Sequence, residues 1–508
     1  MNFKPDSYLR PARPALLLDW RPTLFVIIVF IAALVPMAAW AGLENPALFQ
    51  GLMQSGSPTW ARFLAGGCIV ALFFLPLCWV TISRTVDLFA LFLAQNALLL
   101  CGFFFLNTTA WRIEHVGASI IQAGPLVVAI NALGFAVLFA SMGATYFIAW
   151  ISGARIPPLR ADPRAYDDRL IWLLRFAGVV VALVIALPMA TSGTIPLLSD
   201  DPVEARFAMV QSDVARALYH AGTAVLPFLA GGLLMFVIRK PVRVLGFDGW
   251  LAGGIIFIQI LTSNRLPIAI TLFVTLTLAT LERRWPRLLL VAVFGAFLAL
   301  FAGLSGFTSI LRQDRSMLGS GNVVQTSLQE AFLGDNLIDV RDASWVMSQW
   351  DFQPLEGRTY LGGLTAMLPS GVFPMKKEWH LGLTAIRIVG WDPEEHFGLR
   401  ITFFGESFLN FGPAGVIGLG VVMGCLFGTL LRLLHMISTR RPPCLHYSLK
   451  VVILMQMCLP LTNTSDAFTF WAMAAFLVLQ WIWVDLGIPM KKRENYSFIP
   501  APHAQGRL

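Results

Sequence analysis

Long apolar runs separated by short polar segments set the pattern of this chain. They fall at about 23–42, 63–82, 86–106, 122–151, 170–190, 217–238, 249–263, 267–281, 288–306, 413–434, 447–462 and 467–487. Most are long enough for a helix to cross the hydrocarbon core, and they show none of the ten-residue alternation of a membrane barrel. In hydrocarbon a helix also satisfies its own backbone. The pattern therefore predicts an all-α polytopic membrane protein with about 12 transmembrane helices.

One hydrophilic stretch interrupts this rhythm. Residues 1–306 hold nine predicted spans, 307–401 form a single large loop, 402–490 return to the membrane and hold three more spans, and 491–508 make a polar tail. Within the loop, NVVQTSLQEAFLGDNLIDV and VRDASWVMSQW place apolar residues at helical spacing, with Leu328, Phe332, Trp345 and Trp350 on their apolar faces. They predict short amphipathic helices. GRTYLGGLTAMLPSGVFPMKKEWH, broken by Pro369 and Pro374, reads as turns around an apolar patch.

Composition agrees: 57% of residues are hydrophobic and only 13% charged, so the apolar runs could not remain in water. The formal charge of +8 would suggest nucleic acid in a soluble protein, but here the placement of Lys and Arg matters more than their sum. With the N-terminus inside, most of the basic residues fall in inside segments or the long loop. Only Arg62, Arg112, Arg206, Arg216 and Arg265 fall in short outside loops. Both termini are thus expected to be cytoplasmic, and the long loop external. The six cysteines form no disulfide framework or metal-spaced cluster.

Three outside segments carry candidate chemistry. The short runs 249–263 and 267–281 predict a helical hairpin with Arg265 near its tip, where a cation is costly unless paired or hydrated. The loop TSGTIPLLSDDPVEARFAMVQSD carries Asp200, Asp201, Glu204 and Arg206. The stretch GLRITFFGESFLNFG, residues 398–412, closes the long loop. As a helix it would place Glu406 and Asn410 on one face and Arg400 nearer Phe404 and Ser407, with Pro413 opening the next span.

No Walker loop, HExxH, GxSxG, paired-cysteine or dinucleotide motif is present in context, so the ATPase, zinc protease, serine hydrolase and redox classes lack their minimum parts. What remains is external arginine with sparse acids. Guanidinium groups bind phosphate through paired, charge-assisted hydrogen bonds, so Arg206, Arg265, Arg312, Arg315 and Arg400 are candidate diphosphate ligands. Glu406, His396 and Asp200 are candidate bases for an incoming hydroxyl, and spacing singles out none of them.

Taken in order, TSGTIPLLSDDPVEARF, TSNRLP, EGRTYLGGLTAMLPSGVFPMKK and FGESFLNFGPAGV resemble successive segments of the bacterial oligosaccharide repeat unit polymerases, the Wzy-type O-antigen and exopolysaccharide polymerases. The resemblance implies a C-type glycosyltransferase-like architecture with a large periplasmic loop. It implies an inner-membrane enzyme that polymerises undecaprenyl-diphosphate-linked repeat units without metal or nucleotide sugar. It also implies lipids, a chain-length regulator and a flippase as partners, and no nucleic acid. Arg206, Arg265 and Glu406 match positions of the family pattern. Pro369-Ser370-Gly371 departs from it where an arginine is expected, and Lys376 or Lys377 would supply that charge. An O-antigen ligase-like transferase and a lipid-linked sugar transporter are the alternatives.

Overall fold

The computed structural model describes residues 58–83, 88–106, 118–152, 163–199, 205–206, 209, 213–239, 246–262, 265–281, 339–366, 368, 371–376, 378–392, 398–439, 444–464 and 467–487. The predicted spans 23–42 and 288–306, the loop residues 307–338, and the candidates Asp200, Arg312, Arg315 and His396 lie outside them. Every regular element among the described residues is helical.

Among the described residues six helices are long and apolar enough to cross a membrane: α1 (Thr59–Ser83), α3 (Ala118–Ile151), α4 (Pro163–Ser192), α5 (Asp213–Arg239), α11 (Gly405–Thr439) and α13 (Ala467–Gln480), the last continued by a π turn at Trp481–Asp485. Four apolar helices are shorter: α2 (Leu88–Cys101), α6 (Phe247–Leu261), α7 (Arg265–Leu281) and α12 (Leu445–Cys458). Between α7 and α11 lie α8 (Asp339–Gln349), α9 (Arg358–Leu364) and α10 (Leu381–Val389). The chain is an all-α, multi-pass membrane protein.

Among the described residues the most extensive helix pairing is α11 against α3, and the sequence provides for it through glycine. A Cβ on Gly420 would lie 3.0 Å from the Gly134 carbonyl oxygen, one on Gly424 2.5 Å from that of Leu138, and one on Gly428 2.7 Å from that of Met142. A four-residue glycine repeat on one helix thus meets backbone four residues apart on the other. Lipid gives apolar helices no hydrophobic reason to associate, so such close van der Waals contact holds them together.

Buried polar pairs add register. Asn131, in the middle of α3, donates to Thr402 Oγ1 at 2.9 Å, which pins the approach to α11. Arg175 of α4 forms a two-pronged pair with Asp248 at the start of α6, at 2.6 and 3.0 Å. At the same ends of the spans Arg239 pairs with Asp167 at 2.7 Å, and Asp485 bonds both His446, at 2.8 Å, and Lys450.

Those contacts define one side of the bundle, and chain direction defines the other. Residues 193–199 after α4, the start of α5, the end of α6, the start of α7, Thr464 and the start of α11 all lie at the opposite ends of their helices. On that side His220 stacks on Phe468 at 5.7 Å. The predicted hairpin appears as α6 and α7, with Thr262 closing the first and Arg265 opening the second.

The stretch 398–412 departs from the single helix expected for it. Residues 398–404 are non-helical, Gly398 has φ +128°, and helix begins only at Gly405. Arg400 therefore does not line up with Phe404 and Ser407. Its backbone N–H instead donates to Asp342 Oδ2 at 3.2 Å. Glu406 and Asn410 do share a face, and the Asn410 amide donates to the Glu406 carbonyl at 2.8 Å.

Candidate functional site

The site is assembled from a defect in α11. At Gly412 the backbone takes φ 62° and ψ −152°, and Pro413 follows. Proline has no N–H to offer the carbonyl four residues back, so this kink frees acceptors in an apolar setting where each must find a donor. The preceding loop supplies them. Leu355 N–H donates to Leu409 O at 2.9 Å, and Glu356 N–H to Asn410 O at 3.0 Å. Docked this way, the loop turns at Gly357 and starts α9, which delivers Thr359 to Glu406.

Glu406 is fully buried. Oε1 accepts from the Thr359 hydroxyl at 2.6 Å and from the Thr464 hydroxyl, and Oε2 accepts from the Thr464 N–H at 2.8 Å. Asn410, also fully buried, donates to Thr359 Oγ1 at 2.7 Å. Three distant parts of the chain, at 359, 406–410 and 464, thus close around one carboxylate. Neutral donors surround it, and no described arginine or lysine pairs with it. In this arrangement Glu406 ties α9, α11 and the lead-in to α13 together, and no face of its carboxylate is open to a ligand.

The accessible charge lies a few residues earlier in the chain. Arg400 keeps 55% of its side chain exposed and forms an ion pair with Asp339 Oδ1 at 3.6 Å. Asp342, one turn further along α8, accepts both Arg341, at 2.8 and 3.0 Å, and the Arg400 backbone. Two carboxylates and two guanidiniums therefore meet where α8 packs on α3.

Burial pushes the Asp339 carboxyl up to about 6, with Arg400 pulling it back and Asp342 adding to the rise. Asp342 is raised as well, chiefly by burial and against the pull of Arg341. A carboxyl that changes charge near neutrality beside an arginine can exchange a proton while the arginine holds an anion.

The remaining described candidates lie on other elements. Arg206 is close enough to Tyr219 on α5 to act electrostatically on its hydroxyl. Arg265 opens α7 on the same side of the bundle. Lys376 folds back onto the carbonyls of Ala366, at 3.4 Å, and Leu368, so its ammonium serves its own loop. Among the described residues no group of three or more His, Cys, Asp or Glu is placed to hold a metal ion.

Asp339 and Asp342 were not singled out by sequence. Acids three apart at the start of an amphipathic helix read as ordinary partners for the helix N-terminus. Thr359 and Thr464 carry no motif-like spacing to Glu406 at all. Comparisons with protein-family models, with curated proteins and with solved structures each return no match.

Proposed function

We propose that the chain is a membrane glycosyltransferase that joins undecaprenyl-diphosphate-linked oligosaccharide repeat units at the periplasmic face of the bacterial inner membrane. The observation that carries this reading is the half-exposed Arg400 beside Asp339, on the side of the bundle that also bears Arg206 and the α6–α7 turn.

Glycosyl transfer from a lipid diphosphate requires two things of the protein. Fixed positive charge must meet the charge that develops on the departing diphosphate, and a base must take the proton of the acceptor hydroxyl. In this reading Arg400, with Arg206 and Arg265, binds the diphosphate. One well-placed donor of that kind lowers a barrier by about 3–4 kcal/mol. The acceptor oxygen bonds to the anomeric carbon, the bond from that carbon to the diphosphate oxygen breaks, and the hydroxyl proton passes to Asp339. Glu406 acts by positioning: it holds the loop and the lead-in to α13 in place beneath the site.

The test is reconstitution of the full chain in proteoliposomes with undecaprenyl-diphosphate repeat units. The expected product is a ladder of chain lengths formed without added nucleotide, lost in Arg400→Ala and retained in Arg387→Ala. Single units that cross the bilayer without being joined would replace this reading with that of a transporter.

A further inference from the structure

The segment from Thr359 to Met375 contains no charged residue and lies outside the spans, and among its described residues five large apolar side chains point outward. Leu361, Leu364, Leu368, Val372 and Met375 are 43–69% exposed. The buried positions of α9 are small or polar instead: Thr359, Gly362 and Gly363. Gly362 faces the Trp379 carbonyl and Gly363 faces Thr464, both too closely for a side chain. A loop folded against water would show the reverse arrangement.

From this inversion we infer that the described residues 361–366, 368 and 371–375 lie within one leaflet of the bilayer, with their exposed apolar side chains among the acyl chains of membrane phospholipid. Two contacts carry the lipid-facing surface of the spans into the segment. The indole N–H of Trp471, an exposed residue in the second turn of α13, donates to the Leu364 carbonyl at 3.2 Å. Tyr360 stacks on Phe411, 48% exposed at the kink of α11, with ring centroids 6.1 Å apart.

Backbone chemistry agrees with that depth. Irregular backbone in an apolar medium needs internal donors, and Lys376 supplies one to the carbonyls of Ala366 and Leu368. Charge returns at the borders of the segment, with exposed Arg358 before it and Lys376 after it, where this placement would bring them towards phosphate headgroups. A protein partner would equally cover an apolar patch. Continuity with two membrane helices favours lipid.

The experiment places a photoreactive benzophenone amino acid singly at Leu364, Leu368 or Val372 in the full chain. The chain is reconstituted in vesicles of phosphatidylethanolamine and phosphatidylglycerol, irradiated, digested and weighed by mass spectrometry. Exposed polar positions Gln353 and Glu378 serve as controls, and Met375 replaces any site whose variant does not extract as a monodisperse species. The inference expects phospholipid adducts at all three test positions, several-fold above both controls. Adducts to protein, or a yield equal to the controls, would overturn it. Both readouts are independent of whether the chain forms polymer.

Discussion

Removing the Glu406 carboxylate tests how the outer segments are held. In Glu406→Ala the Thr464 hydroxyl can turn to the Thr359 carbonyl, already 3.2 Å away. The Thr359 hydroxyl and the Thr464 N–H have no such alternative and are left as buried donors. At about 1–3 kcal/mol each, and with a void added, the expected loss is about 3–6 kcal/mol. Glu406→Gln should behave differently. Its carbonyl can keep the Thr464 N–H while its amide donates to both hydroxyl oxygens, which orphans only the Thr359 proton, at about 1–2 kcal/mol. Hydrogen exchange of amides in 355–364 and 464–470, read by mass spectrometry in nanodiscs, reports this opening directly. Protection should fall more than about 100-fold in the alanine variant and about tenfold in the glutamine variant. Unchanged protection in Glu406→Ala would refute the clamp. Lost transfer in Glu406→Gln with protection intact would move Glu406 into the reaction itself.

Other outcomes follow from the same geometry. Gly424→Ala places a methyl against the α3 backbone and should cost about 1–3 kcal/mol, whereas Gly418→Ala, with open space around it, should cost nothing. Thermal exposure of the buried thiols of Cys444 and Cys458 to a maleimide dye measures both variants, and equal melting would sink the seam argument. Arg175→Met removes the two-pronged pair from buried Asp248 and should destabilise by about 3 kcal/mol in the same assay, with recovery when Asp248→Leu is added. For Asp339 the folded carboxyl is raised to about 6, so its basic form appears only as pH rises through that value. Transfer should climb across this window and become flat and low in Asp339→Asn. The same shift means that its proton contributes stability at low pH, which is lost as pH rises through about 6. A pH profile unchanged by Asp339→Asn would exclude it as the proton acceptor.

What sequence could foretell divides along physical lines. Helices in lipid are specified locally by apolar length, so ten of the twelve predicted runs coincide with helices among the described residues. The short 249–281 hairpin was visible for the same reason. The helical period also placed Glu406 and Asn410 on one face. It failed at Arg400, because the backbone there answers to Asp342, a partner 58 positions away in the chain.

Glu406 shows why the rest was hidden. Its residue type and its place at the return to the membrane made it a candidate base, and those two facts do not distinguish a reacting acid from a structural one. The distinction lies in its neighbours, Thr359 and Thr464, brought together from either side by long-range folding. Gly412 and Pro413 are the local cause: a proline in an apolar helix frees carbonyls, freed carbonyls require donors, and the loop that supplies them carries Thr359 with it. A glycine–proline step at the head of a span, preceded by an acid, therefore calls for a search for the docking loop before the acid is assigned to chemistry. Here the docked loop encloses Glu406, whereas an exposed cation, Arg400, meets a largely buried titratable carboxyl at Asp339.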